Sequence, residues 1–194
     1  MWSTKNDSHN HLLLSHTNAS SGSDKIGDYN ETSYTATTKT NTTRITLSIR
    51  RYTDKPAIVF SQKYEDDHHN TSLGDFNATV GGFPCFNVKK TDIDLAFLNF
   101  GGFMFGYTDM VMGRWNESTA NIVDGIIGGP LAILDNNGNT LVISPLDNFM
   151  SASSWHREKP GGHVCWGIMG GVNSIPSGFI YQTIIVYDNG INKV

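Results

Sequence analysis

The stretch LAILDNNGNTLVISP, from Leu131 to Pro145, constrains the fold of this chain more than any other. Leu131 and Ile133 precede Asn136-Asn137-Gly138, and Leu141 and Ile143 follow it, so apolar residues fall at alternate positions on both sides. That is the period of a strand with one buried face. Asn and Gly between the runs tolerate the positive φ of a tight connection, and the segment predicts an antiparallel hairpin.

The same signals recur along the chain. In TRITLSIRRY, Ile45, Leu47 and Ile49 alternate with Thr46, Ser48 and Arg50, and a second strand follows from Ala57 to Tyr64 after a turn that ends at Pro56. FNATVGGFPCFNV reads as a broken extended run with Pro84 at an edge or bulge. IDLAFLNFGGFMFG is the most apolar segment, interrupted at Gly101-Gly102, and Glu117 to Val123 reads as turn-rich loop because Gly125, Gly128 and Gly129 limit any helix. HVCWGIMGGV and Phe179 to Tyr187 supply the last strands, on either side of a turn with Pro176 and Gly178. Short extended segments, turn signals every ~8–12 residues and hardly any helix predict an all-β fold, an antiparallel β-sandwich.

A chain of 194 residues can bury one full core. Residues 1–42 are polar, with too few apolar side chains to offset backbone ordering, and are expected to form a disordered leader. The sandwich is expected over 43–188, with 189–194 starting a linker. The net charge of -4, with no Lys or Arg run longer than a pair, argues against nucleic acid as a partner. No run approaches the ~18 apolar residues of a membrane-spanning helix, so no membrane partner is expected. The first sixteen residues, with one leucine triplet, lack the apolar centre of a secretory signal.

Cys85 and Cys165 have no Cys or His neighbours at ligand spacing, so neither metal nor other cofactor is expected; two buried thiols and one long-loop disulfide both remain open. Asn-x-Ser/Thr triplets start at Asn6, Asn18, Asn30, Asn41, Asn70, Asn77 and Asn116. Those at Asn70, Asn77 and Asn116 fall within the sandwich and are the candidate glycosylation sites, which favours a secreted or endomembrane location despite the missing signal.

Asp147, Asn148, Trp155 and His156 form the most site-like group, because an indole face with amide and carboxylate hydrogen bonds is how a sugar is held. EDDHH, Glu65 to His69, collects metal-competent donors, but adjacent residues of an extended chain point apart, so it reads as a solvated loop. Asp135, Asn137 and Asn139 alternate as calcium ligands do, yet the loop lacks the closing Glu and reads as a turn. GIIGGP lacks the Lys and Ser/Thr of a phosphate loop. No serine elbow and no Cys-His pattern marks a nucleophile, and no catalytic residue is expected in this chain.

Several phrases in order, AIVFSQKY, FPCF, LAFLNFGG, GGPLAILDNNGNTLVISPLDNFM and SIPSGFIYQTIIVYDNGINKV, resemble the N-terminal β-sandwich region of glycoside hydrolase-like proteins related to raffinose synthases and α-galactosidases. The resemblance covers about Thr43 to Val194 and implies a supersandwich-like domain that precedes a (β/α)₈ barrel bearing the catalytic aspartates. None of the barrel motifs is in the sequence, so the resemblance implies a packing domain for a catalytic barrel encoded elsewhere, with carbohydrate as the substrate class. A free-standing secreted carbohydrate-binding module and a structural interaction domain are the alternatives.

Overall fold

The computed structural model describes residues 12–38, 43–75, 78–87, 94–103, 107–115, 128–156 and 163–190. They form strands throughout, with one 3₁₀ turn at Phe149–Ser151. In chain order the strands are β1 (Leu12–Ser23), β2 (Asp28–Thr38), β3 (Arg44–Tyr52), β4 (Ala57–Tyr64), β5 (His68–His69), β6 (Thr79–Val80), β7 (Cys85–Asn87) and β8 (Leu95–Phe103). They continue with β9 (Tyr107–Arg114), β10 (Gly128–Asp135), β11 (Asn139–Pro145), β12 (Ala152–His156), β13 (His163–Met169), β14 (Ser174–Ile175) and β15 (Ile180–Asn189).

A nine-stranded sheet runs in the order β1-β2-β3-β4-β15-β11-β10-β8-β9, and every neighbouring pair is antiparallel. A smaller sheet is built on β13, which pairs with β12, β6 and β7. The two sheets share the core. Ala36, Ile45, Leu47, Tyr64 and Tyr181 of the large sheet meet Val80, Ala152 and Ile168 of the small one, and Phe60, Phe97, Leu131, Ile143 and Ile185 meet Val164 and Trp166. The fold is therefore the all-β antiparallel sandwich that the alternating pattern requires.

The β10–β11 hairpin has the expected register, with Leu131 opposite Ile143 and Ile133 opposite Leu141. Its turn is held by Asp135, whose carboxylate accepts hydrogen bonds from the backbone N–H groups of Asn137 (2.9 Å) and Asn139 (2.8 Å) and from the Asn139 amide (2.7 Å). Gly138 takes φ 84°, which an L side chain rarely adopts.

The polar leader expected over residues 1–42 is not what residues 12–38 form. They make a long hairpin in which Leu12 pairs with Thr38 and Ser23 with Asp28, and β2 pairs with β3 from Tyr29–Tyr52 to Thr37–Arg44. The physical reason is that a strand can be added by ladder hydrogen bonds alone. β2 is rich in Thr and Tyr, good strand formers, while within its described residues only Ala36 is buried among the core side chains. An argument from apolar content misses such a strand. Residues 1–11, 39–42 and 191–194 lie outside the described residues, as does Glu117 to Val123, and β15 runs to Asn189, one residue past the expected end of the sandwich.

Cys85 and Cys165, opposite one another on β7 and β13 and 80 residues apart in sequence, are joined by a disulfide, which decides between the two alternatives left by the sequence.

Candidate functional site

The four candidate sugar-binding residues fall into two pairs. Asp147 and Asn148 leave β11 and fasten its end to β15: the Asp147 carboxylate accepts from the Gln182 N–H (2.9 Å), and the Asn148 amide donates to the Ile180 carbonyl (2.7 Å). Asn148 is in the left-handed region at φ 50°, which asparagine tolerates better than most side chains. Burial of Asp147 pushes its carboxyl above the usual carboxylate range, against the Gln182 hydrogen bond that lowers it. Trp155 and His156 are consecutive on β12, opposite Cys165 and Val164 respectively. Successive strand residues point to opposite faces, so His156 shares the side of core residue Val164 and Trp155 leaves on the other. Beside this group, Phe149 and Met150 are 65% and 72% exposed on the 3₁₀ turn.

The donors of Glu65 to His69 are each occupied by a structural role. Glu65 accepts from Lys63 (2.8 Å) and Thr46 (2.7 Å), and Asp66 takes a forked pair of bonds from Arg44 at 2.8 and 3.2 Å. Asp67 accepts from the Ser177 N–H at 2.8 Å. His68 is buried with its ring edge-on to Tyr64, and His69 Nδ1 lies 3.3 Å from the Ser174 hydroxyl. Hydrogen bonds from Lys63 and Thr46 hold Glu65 below the usual carboxylate range, and the Arg44 guanidinium does the same for Asp66. Of the candidate glycosylation asparagines, Asn70 is exposed with φ 57°, while Asn77 and Asn116 lie outside the described residues.

Near the turn of the β10–β11 hairpin lies an open groove of about 490 Å³ whose lining includes Leu95, Ile133, Leu141, Tyr187, Asp135 and Asn139. The Asp135 carboxyl, committed to the Asn139 side chain and to the turn backbone, is held below its ordinary value.

The feature that sequence reasoning did not place on particular residues is the apolar outer face of the large sheet. Strand register places Met112, Leu98, Ala132, Val142, Val186 and Ala57 in one row across β9, β8, β10, β11, β15 and β4. All six are apolar. Ile184 and Val59 extend the next row on one side, and Ala96 and Leu134 the row on the other. At the β4 end, Val59 and Ala57 are covered by a small cluster with Tyr52, Ile26, Tyr29 and Leu146. Toward β9 the cover ends: Met112 is 66% exposed and Phe100 47%. A signal was available in the uninterrupted apolar runs Leu131–Leu134, Leu141–Ile143 and Ile184–Val186, which break the period of two that a one-sided strand keeps.

No known protein family and no curated protein matches this sequence. Solved structures match its shape. The galactosidase domain of the α-galactosidase–sucrose kinase AgaSK is similar with a TM-score of 0.61 at 10% identity, over 92% of this chain and 28% of that one. The α-galactosidase from Lactobacillus brevis gives 0.60 at 12% identity, over 94% and 28%. A glycoside hydrolase family 97 enzyme from Pseudoalteromonas sp. strain K8, solved in complex with panose, gives 0.53 at 12% identity, over 93% and 28%. The shared property is the fold. This chain spans 28% of the length of each of these proteins.

Proposed function

We propose that this chain is a non-catalytic β-sandwich domain of a carbohydrate-active glycoside hydrolase and that it supports a separate catalytic domain. The observation that carries this reading is the likeness in fold, over nine-tenths of the chain, to a part amounting to 28% of several glycosidases. The partners of five described carboxylates agree with it. Glycoside hydrolysis needs two carboxyl groups facing one another across a bond, roughly 5–10 Å apart, with one protonated. Here Glu65 and Asp66 are ion-paired, Asp67 and Asp147 hold backbone N–H groups, and Asp135 holds a turn.

The test is turnover of nitrophenyl α-galactosides by the purified chain and by the full-length gene product. The chain alone is expected to be inactive and the full-length protein active. Turnover by the chain alone, freed of contaminating enzyme, would overturn the reading. Galactosides that quench tryptophan fluorescence of the chain, with the response lost in Trp155→Ala, would instead make it a carbohydrate-binding module.

A further inference from the structure

We infer that Asn18 and Asn30, both on the β1–β2 hairpin, carry N-linked glycans that close off the free edge of the large sheet. Composition assigns their triplets to a polar leader, whereas the structure builds both into the nine-stranded sheet. Asn18-Ala19-Ser20 lies in β1 and Asn30-Glu31-Thr32 in β2, neither with proline in the middle position. Both asparagines are exposed, and neither side-chain amide is hydrogen-bonded to a described residue. Asn139 and Asn148 differ in this respect, since their amides hold Asp135 and the Ile180 carbonyl. A glycan on Asn18 or Asn30 therefore displaces no contact. The Cys85–Cys165 disulfide is a separate observation that points to the same compartment, because disulfides persist where thiols are not kept reduced, on the secretory route along which such triplets are glycosylated.

The reaction is a group transfer from a polyprenyl diphosphate-linked oligosaccharide. The asparagine Nδ2 displaces the lipid diphosphate at the anomeric carbon: an N–C bond forms, the C–O bond to diphosphate breaks, and the amide gives up one proton to a base of the transferring enzyme. The hairpin supplies two acceptors on opposite faces. Asn18 pairs with Ser33 and Asn30 with Ser21. Ser33 and Asn30 are three positions apart on β2, so the two asparagines leave the ribbon on different sides. Among the described residues no strand lies beyond β1. Its twelve residues contain no Lys, Arg, Asp, Glu or Pro, the residues that discourage pairing at an edge, and Leu13 and Leu14 are 49% and 54% exposed. The β1–β2 pairing has one register shift, between Leu14 and His16. A bulky, solvated glycan on each face obstructs the approach of another strand and does at this edge what charge does at others.

Peptide mapping of the protein isolated from its own cells, after enzymatic release of N-glycans in heavy-oxygen water, is expected to find Asn18 and Asn30 converted to labelled aspartate. Unmodified asparagine at either position would overturn the inference. Secreted from a glycosylating eukaryotic cell, the 194-residue chain is expected to sediment as a monomer at micromolar concentration. Ser20→Ala and Thr32→Ala each remove the hydroxyl of one triplet and leave its asparagine in place. Each is expected to lose one glycan, read as one step in gel mobility, and the double variant to self-associate at several-fold lower concentration than the parent. Ser20→Thr with Thr32→Ser keeps both triplets and is expected to behave as the parent, which separates loss of glycan from loss of fold. A double variant without either glycan that stays as monomeric as the parent would overturn the shielding of the edge. Neither readout involves sugar turnover, so the outcome is independent of the proposed function.

Discussion

Val142 and Ile143 are neighbours on β11, one methylene apart in size, and sit in opposite environments. Ile143 is 3% exposed and packs with Phe97, Leu131, Trp166 and Ile185 between the two sheets. Val142 stands on the other side of the same sheet, partly exposed, in a row of apolar neighbours. The difference teaches that apolar residue type alone does not identify the core of this protein. Two faces are written in the same letters; the inner one packs against the second sheet, while the outer one is covered at its β4 end and open toward Met112 and Phe100. Within the outer face a second contrast holds, because its β2–β3 end is polar. There Arg50 bonds Glu31, lies 4.7 Å from the Tyr29 ring centroid and approaches Asp24 at 3.5 Å.

Four tests by substitution sharpen or break this comparison. The largest effect is expected from the small-sheet side, where the Cys85–Cys165 bond closes a loop of about 80 residues. Cys85→Ser with Cys165→Ser is expected to cost on the order of 4 kcal/mol in denaturant melts, from the chain entropy restored to the unfolded state. A loss below about 1 kcal/mol would mean that the β7–β13 pairing needs no covalent tie.

Next comes the pair on β11. Ile143→Ala is expected to lose about 2–4 kcal/mol, because it opens a cavity between sheets, and Val142→Ala under about 1 kcal/mol, because it opens none. Equal losses would erase the distinction between the faces. At the polar end, Glu31→Gln is expected to cost about 1 kcal/mol or less, and the cost should fall as salt is added, as for partly exposed ion pairs in general. Insensitivity to salt would assign the effect to packing.

The smallest effect is at Asp147. Its folded-state carboxyl lies above the ordinary value through desolvation, so its favourable contribution is complete below the unfolded pKa and is lost as pH rises through the folded one. Asp147→Asn keeps an acceptor for the Gln182 N–H and loses the charge. Melts should find the variant at least as stable as the parent at neutral pH, with the difference closing as pH falls below the range in which unfolded aspartate ionises. A variant less stable at pH 7 than at pH 3, relative to the parent, would reverse the sign.

The legible parts of the fold were those in which local pattern and tertiary role coincide. Leu131 to Ile143 alternates and has a turn whose chemistry is local, with Asp135 bonding residues two and four positions on, so sequence spacing described it well. β1 and β2 were illegible from composition because a strand stitched to an existing edge needs hydrogen bonds and few apolar contacts. Asp147, Asn148, Trp155 and His156 looked like one group because they are close in sequence, yet strand geometry sends adjacent side chains apart and ties the first two to β15. The Cys85–Cys165 pairing depends on the register of β7 against β13, which no local signal carries. The outer apolar face could have been read from the runs LAIL, LVI and IIV, had the loss of alternation been weighed against the period of two.

One comparison of thermal melts in the 194-residue chain, Val142→Lys against Ile143→Lys, tests the difference between the two faces most directly. On β11 one face of the sheet is core and the other leaves Val142 partly exposed. Val142→Lys is therefore expected to leave the midpoint within about 3 °C of the parent, as surface substitutions do, and Ile143→Lys to abolish the cooperative transition by burying an unpaired charge. A Val142→Lys chain that unfolds as readily as Ile143→Lys would mean that both sides of β11 are covered within this polypeptide.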